Sequence, residues 1–160
     1  MAHTGADDRG TSAPLPHCGN LRQFTILMER GNFQLAELLN RFEQRGVSVL
    51  GLSIFESPEC VLVRLLLTQP DVGRDVLERA GLAIIETNLL AVELAESRQS
   101  LLGLCRTLLQ ANVKIVHVCP LPIASRNRLI VAVMVEDLEA AASALRARGY
   151  RIVSEEELAY

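Results

Sequence analysis

Residues 82–94 read LAIIETNLLAVEL, two apolar strand-sized runs, Leu82–Glu86 and Leu89–Leu94, on either side of the polar junction Glu86-Thr87-Asn88. That junction is too short for a free linker, so whatever lies before and after it must pack as one body. Working backwards, Ala80-Gly81 closes a helix that opens at Pro70-Asp71, with Pro tolerated in the first turn. Before that helix stand two strands, Val47–Phe55 and Cys60–Thr68, joined by the turn Ser57-Pro58-Glu59. Earlier still, Phe33–Gln44 carries apolar side chains at Phe33, Leu35, Ala36, Leu38, Leu39 and Phe42, the one-sided spacing of an amphipathic helix. Asn32 is its expected cap, Arg45-Gly46 its stop, and Gln23–Met28 a strand ahead of it.

The order strand, helix, strand, strand, helix, strand then begins again. Leu89–Leu94 is followed by a helix over Ser100–Gln110, a strand over Val113–Cys119 and a loop over Pro120–Asn127. A strand over Arg128–Val135, an Ala-rich helix from its cap Asp137 to Arg148, and a last strand Arg151–Val153 complete the second pass. Anchors match across the halves: Leu35 with Leu101, Gly46-Val47-Ser48-Val49 with Asn112-Val113-Lys114-Ile115, and Ala80-Gly81-Leu82 with Arg148-Gly149-Tyr150. This is internal duplication. Each half reads as a split βαβ unit, so the expected class is α+β: two ferredoxin-like βαββαβ modules in tandem, with antiparallel sheets and helices on one face. The expected bounds are a flexible tail over 1–20, a first module over 21–87 and a second over 88–160.

Composition narrows the function. Of 160 residues, 49% are hydrophobic but only 4% aromatic, with no Trp, so the core is built from Leu, Val, Ile and Ala. Sixteen basic and nineteen acidic side chains give a formal charge of −3, which argues against nucleic acid as a partner. No apolar run approaches the ~18 residues of a membrane span. The first ten residues lack an apolar stretch of the secretory kind, and Cys18, Cys60, Cys105 and Cys119 are widely spaced, so a cytoplasmic protein without a disulfide framework is expected.

The runs RGVSVLGLSIFES (45–57) and LLAVEL (89–94), the helix ends RAG and RARG, and the terminal VSEEELAY resemble the tandem ACT-domain proteins over roughly residues 23–158. The resemblance implies a regulatory protein that binds an amino acid, with no catalytic residue and no cofactor. It departs from the family's pattern in one place. The turn between first strand and first helix usually carries a Pro-Gly pair, whereas here those positions hold Asn32-Phe33 in the first half and Arg98-Gln99 in the second.

A ligand is therefore expected, if anywhere, between the modules against the helix-start turns Gly31, Asn32, Phe33, Gln34, Leu35 and Ser97, Arg98, Gln99, Ser100, Leu101. Helix starts offer unpaired N–H groups and a positive dipole end to a carboxylate. Arg98 adds a guanidinium that grips a carboxylate bidentately. Ser48 and Gly51 on one second strand, and Lys114 and Val116 on the other, are the expected walls. Against this stands the reading of each turn as a plain helix cap and of Arg98 as a solvated surface charge.

His117 and Cys119 share a strand face by their i, i+2 spacing but lack the further ligands zinc requires, so no metal is expected. No G-x-S-x-G, phosphate loop, G-x-G-x-x-G or H-E-x-x-H occurs, and Glu155-Glu156-Glu157 reads as a solvated tail. The expected partners are an amino acid or related small carboxylate and a second copy of the chain, with neither nucleic acid nor membrane. The alternative is a pure dimerisation module with degenerate pockets.

Overall fold

In the computed structural model, which describes residues 20–29, 32–94, 100–123 and 129–158 with the side chains of Asn32 and Phe33 left aside, the two halves repeat each other at their turns. The first contains β1 (Asn20–Met28), α1 (Asn32–Gln44), β2 (Val49–Glu56), β3 (Val61–Leu67) and α2 (Pro70–Arg79). After β4 (Ile84–Leu94) come α3 (Leu101–Gln110), β5 (Ile115–Leu121), β6 (Leu129–Val135), α4 (Leu138–Ala147), β7 (Arg151–Val153) and the single turn α5 (Glu155–Leu158). Gly46 and Asn112 end α1 and α3 with φ of 70° and 60°, and Gly81 and Gly149 end α2 and α4 with φ of 71° and 80°. The following residue bonds back across each helix end in the same way, Val47 N–H to Phe42 O at 2.9 Å and Val113 N–H to Leu108 O at 3.0 Å. Even the bulges repeat: pairing shifts between Val49 and Gly51 in β2, and between Ile115 and His117 in β5.

The caps follow side-chain chemistry. Asp137 accepts from the Ala140 N–H at 2.9 Å and Ser100 from the Gly103 N–H at 3.0 Å, each satisfying a helix-start donor. At α2, Gln69 caps without a side-chain bond and Pro70 opens the helix, its missing N–H being no loss there.

Two expectations need correction. The strands expected over Leu82–Glu86 and Leu89–Leu94 are one strand, β4, which runs through the junction without a turn. Thr87 and Asn88 pair with Gln23 and Arg22 of β1, so the ladder absorbs the polar triplet. Glu155-Glu156-Glu157 is not a free tail: it forms α5, with Leu158 buried and the Glu155 carboxylate held by Arg22. Of the expected tail, 1–19 lie outside the described residues and Asn20 already belongs to β1.

All strands pair antiparallel in the order β2-β3-β1-β4-β6-β5, with β7 also on β4. β1 pairs with Ile84–Leu90 and β7 with Ala91–Glu93, while β6 takes Leu90–Leu94. β1 and β7 therefore lie end to end along one edge of β4, opposite β6.

Residues two apart on a strand share a face, and this sorts the core into three parts. Phe24, Ile26, Val63, Leu65 and Leu67 pack against Leu38 and Phe42 of α1 and Val76 and Leu77 of α2. Leu90, Val92, Val131 and Val133 pack against Leu104 and Leu108 of α3 and Ala141, Ala142 and Leu145 of α4. Ile84 joins the first cluster and Leu90 the second, so all four helices cover the same face of β4. The reverse face forms a third cluster from both halves: Leu21, Leu66 and Leu89 against Leu121, Ile130 and Ala132, with Val153 and Leu158. The sheet thus closes on itself, and β2 touches β5 although they stand at opposite ends of the strand order. Gly51 allows this approach, since a Cβ there would lie 3.0 Å from Leu66 Cδ1 and 3.5 Å from Leu121 Cδ2.

Candidate ligand site

Where β1 gives way to α1, the fold leaves a pocket of ≈180 Å³. Met28 at the end of β1, Gln34, Glu37, Leu38 and Arg41 along α1, and Ala80 and Leu82 between α2 and β4 line it. Met28 and Leu38 are buried and give it an apolar floor. Glu37 and Arg41 are one helical turn apart and form an ion pair, Arg41 Nη2 donating to Glu37 Oε1, with both side chains about half exposed. The pocket therefore offers a cation, an anion and the Gln34 amide above hydrocarbon. Such a set of groups can hydrogen-bond a small polar molecule above hydrocarbon.

Of the expected site residues, Gln34 lines this pocket, and Leu35 turns inward to the core beneath α1. Gly31, Ser97, Arg98 and Gln99 lie outside the described residues, while Asn32 and Phe33 form the start of α1. Ser48 lines a different hollow with Leu39, Phe42, Glu43 and Gly46 at the far end of α1. Its N–H donates to Thr68 Oγ1 at 3.0 Å. Gly51 faces Leu121 across the closed sheet. Ser100 caps α3 and Leu101 is exposed beside it. Lys114 is ion-paired to Glu136, whose hydrogen bond and charge raise the ammonium pKa. Val116 stands exposed at the bulge of β5.

These residues do not form one wall. α1 starts at Asn32, beyond Ile26, which pairs with Ile84, whereas α3 starts at Leu101, beyond Leu94. The two helix starts thus leave from opposite ends of an 11-residue strand, about 30 Å apart at ~3.3 Å per residue. Sequence reading missed Met28, Glu37, Leu38, Arg41, Ala80 and Leu82; the i, i+4 spacing of Glu37 and Arg41 was the available sign, hidden among other solvated charges.

His117 and Cys119 lie on β5, and burial pushes the Cys119 thiol up from its ordinary pKa. Among the described residues no group of three or more His, Cys, Asp or Glu is placed to hold a metal ion, and no helix is long and apolar enough to cross a membrane.

No protein-family model matches the chain, and no curated protein does. Solved structures do. A protein from Bacteroides thetaiotaomicron superposes with a TM-score of 0.78 at 16% identity, over 88% of this chain and 96% of that one. The ligand-free regulatory subunit of aspartate kinase from Thermus thermophilus gives 0.56 at 15% identity, over 81% and 92%. The corresponding subunit from Thermus flavus gives 0.51 at 14%, over 80% and 92%. The fold is that of the tandem ACT-domain proteins. At these identities the likeness is one of architecture: two ACT-like modules built as regulatory subunits are built, here fused through β4.

Proposed function

We propose that this ACT-like chain is a non-enzymatic regulatory protein of the cytoplasm that senses an amino acid or related small carboxylate. The observation that carries the reading is the pocket beside α1, where Arg41 and Glu37 present opposite charges above Met28 and Leu38. A free amino acid carries the complementary pair of charges on one carbon. The likeness to aspartate kinase regulatory subunits supports a regulatory rather than catalytic role. In this reading the modules are 21–87 and 88–160, and each helix-start turn serves its own seat, completed by the second strand of another copy. Arg98 then clamps the carboxylate at the second turn, with Gln99 and Ser100 beside it.

Thermal-shift screening of the twenty amino acids tests the reading. A ligand that binds the folded state alone, at about 100 times its Kd, adds about 2.7 kcal/mol. Arg41→Ala should then weaken that ligand by at least about 1.5 kcal/mol, as expected for a lost hydrogen bond to a charged group. A second reading, a pure dimerisation module, is favoured by Leu52 and Ile54, exposed at 41% and 52% on the end strand β2. No stabilisation by any amino acid, with a dimer that survives dilution, would decide for it.

A further inference from the structure

The first half-sheet has a second face, turned away from α1 and α2, and the closed sheet covers only part of it. The register places Phe55, Leu62 and Leu27 in one row across it, and Ser53, Arg64, Thr25 and Ile85 in the next. The following row, through Gly51 and Leu66, meets Leu121 of the second half. The two outer rows remain open: Leu27, Phe55 and Ile85 are 52%, 69% and 63% exposed.

Arg64 is the one charged side chain in these rows, half-buried amid hydrocarbon. Its guanidinium makes no hydrogen bond or ion pair with any described residue. Next to it, in the covered row, Gln23 is 3% exposed and its Nε2 has no hydrogen-bond partner. A cation and an orphaned amide donor on one face, with no carboxylate among the open rows, is an arrangement lacking an anion. An unpaired buried polar group costs free energy that a bound oxygen would recover.

We propose that this face binds an anion carried on an apolar body, namely a medium-chain or aromatic carboxylate. The carboxylate takes the Arg64 guanidinium bidentately, with the Thr25 and Ser53 hydroxyls alongside, and the hydrocarbon lies over Leu27, Leu62, Phe55 and Ile85. Size favours a small molecule: four strands at ~4.8 Å spacing give an opening about 14 Å wide and two rows deep, far below the ~800 Å² per partner of a stable protein interface. Charge disfavours a second copy, because a two-fold contact centred here sets Arg64 against Arg64. The face is distinct from the pocket beside α1, since Leu27 and Met28 point to opposite sides of β1. The proposal does not rest on the amino-acid reading.

Octanoate, titrated below its micellar concentration and followed by amide chemical shifts, tests it, with octylammonium as the control of equal chain and opposite charge. Saturable shifts at Thr25, Leu62 and Arg64 are expected with octanoate and not with octylammonium. Arg64→Gln, shown folded by circular dichroism, should weaken octanoate at least tenfold. Equal binding of both amphiphiles, shifts confined to Gln34–Arg41, or unchanged affinity in the variant would overturn the proposal. So would a dimer that protects Phe55 without octanoate. Should the variant fail to fold, the comparison of the two head groups on the natural chain decides alone.

Discussion

The carboxylate of Glu155 receives both the backbone N–H of Arg22, at 3.0 Å, and its guanidinium, with Nη2 at 3.0 Å and Nε at 3.1 Å, across 133 residues of chain. The contact marks the point where β7 ends and β1 begins along one edge of β4. α5 leaves the sheet there, with Glu155 at its first position. Leu158, one turn on, is 2% exposed and joins the cluster shared by both halves.

Glu155→Ala should cost about 2 kcal/mol, because it removes a bidentate charged contact and leaves a half-buried N–H without its acceptor. Urea denaturation measures this. A double-mutant cycle with Arg22→Ala should show that the two losses are not additive.

Arg22 also reaches Asp71, with Nη1 at 2.7 Å from Oδ1, and this hydrogen bond holds the Asp71 carboxyl below its ordinary pKa of 3.8. A depressed folded pKa means that Asp71 stabilises the fold above the unfolded value and loses that contribution as the pH falls through the folded one. Asp71 is exposed, so the effect is small and salt-sensitive. Asp71→Asn should flatten the fall of Tm between about pH 5 and pH 2. A profile parallel to the natural chain's would exclude the contribution.

Matched turns should respond alike. A Cβ at Gly81 or Gly149 would meet nothing within 4 Å, so substitution there acts through the backbone alone. Gly81→Ala and Gly149→Ala should each cost about 1 kcal/mol, the penalty of a left-handed residue with a side chain, without changing the denaturant slope. Asn112→Gly should gain stability for the converse reason, since Asn112 holds φ of 60° with a Cβ.

Those turns were legible in the sequence because their chemistry is local. Gly46, Asn112, Gly81 and Gly149 end helices by backbone preference, and they carried the duplication. The fused β4 was not legible. Glu86-Thr87-Asn88 is polar enough to pass for a turn, and what makes it strand is its pairing with Arg22, Gln23 and Phe24, more than sixty residues earlier. The EEE run misled for the same reason: what anchors it is the contact of Glu155 with Arg22, 133 residues away, together with the pairing of Glu157 to Arg151. The starts of α1 and α3, at Asn32 and Leu101, follow local chemistry, but their separation follows from β4 being a single strand.

That strand is the central claim, since it makes two modules one body. Amide hydrogen exchange in rising urea measures it most directly, read at Leu65 in the first half, Leu90 in β4 and Val131 in the second. The account predicts that all three converge on one opening free energy and one denaturant slope, as a single cooperative unit does. Val131 exchanging through a separate, lower-energy opening while Leu65 stays protected would contradict it.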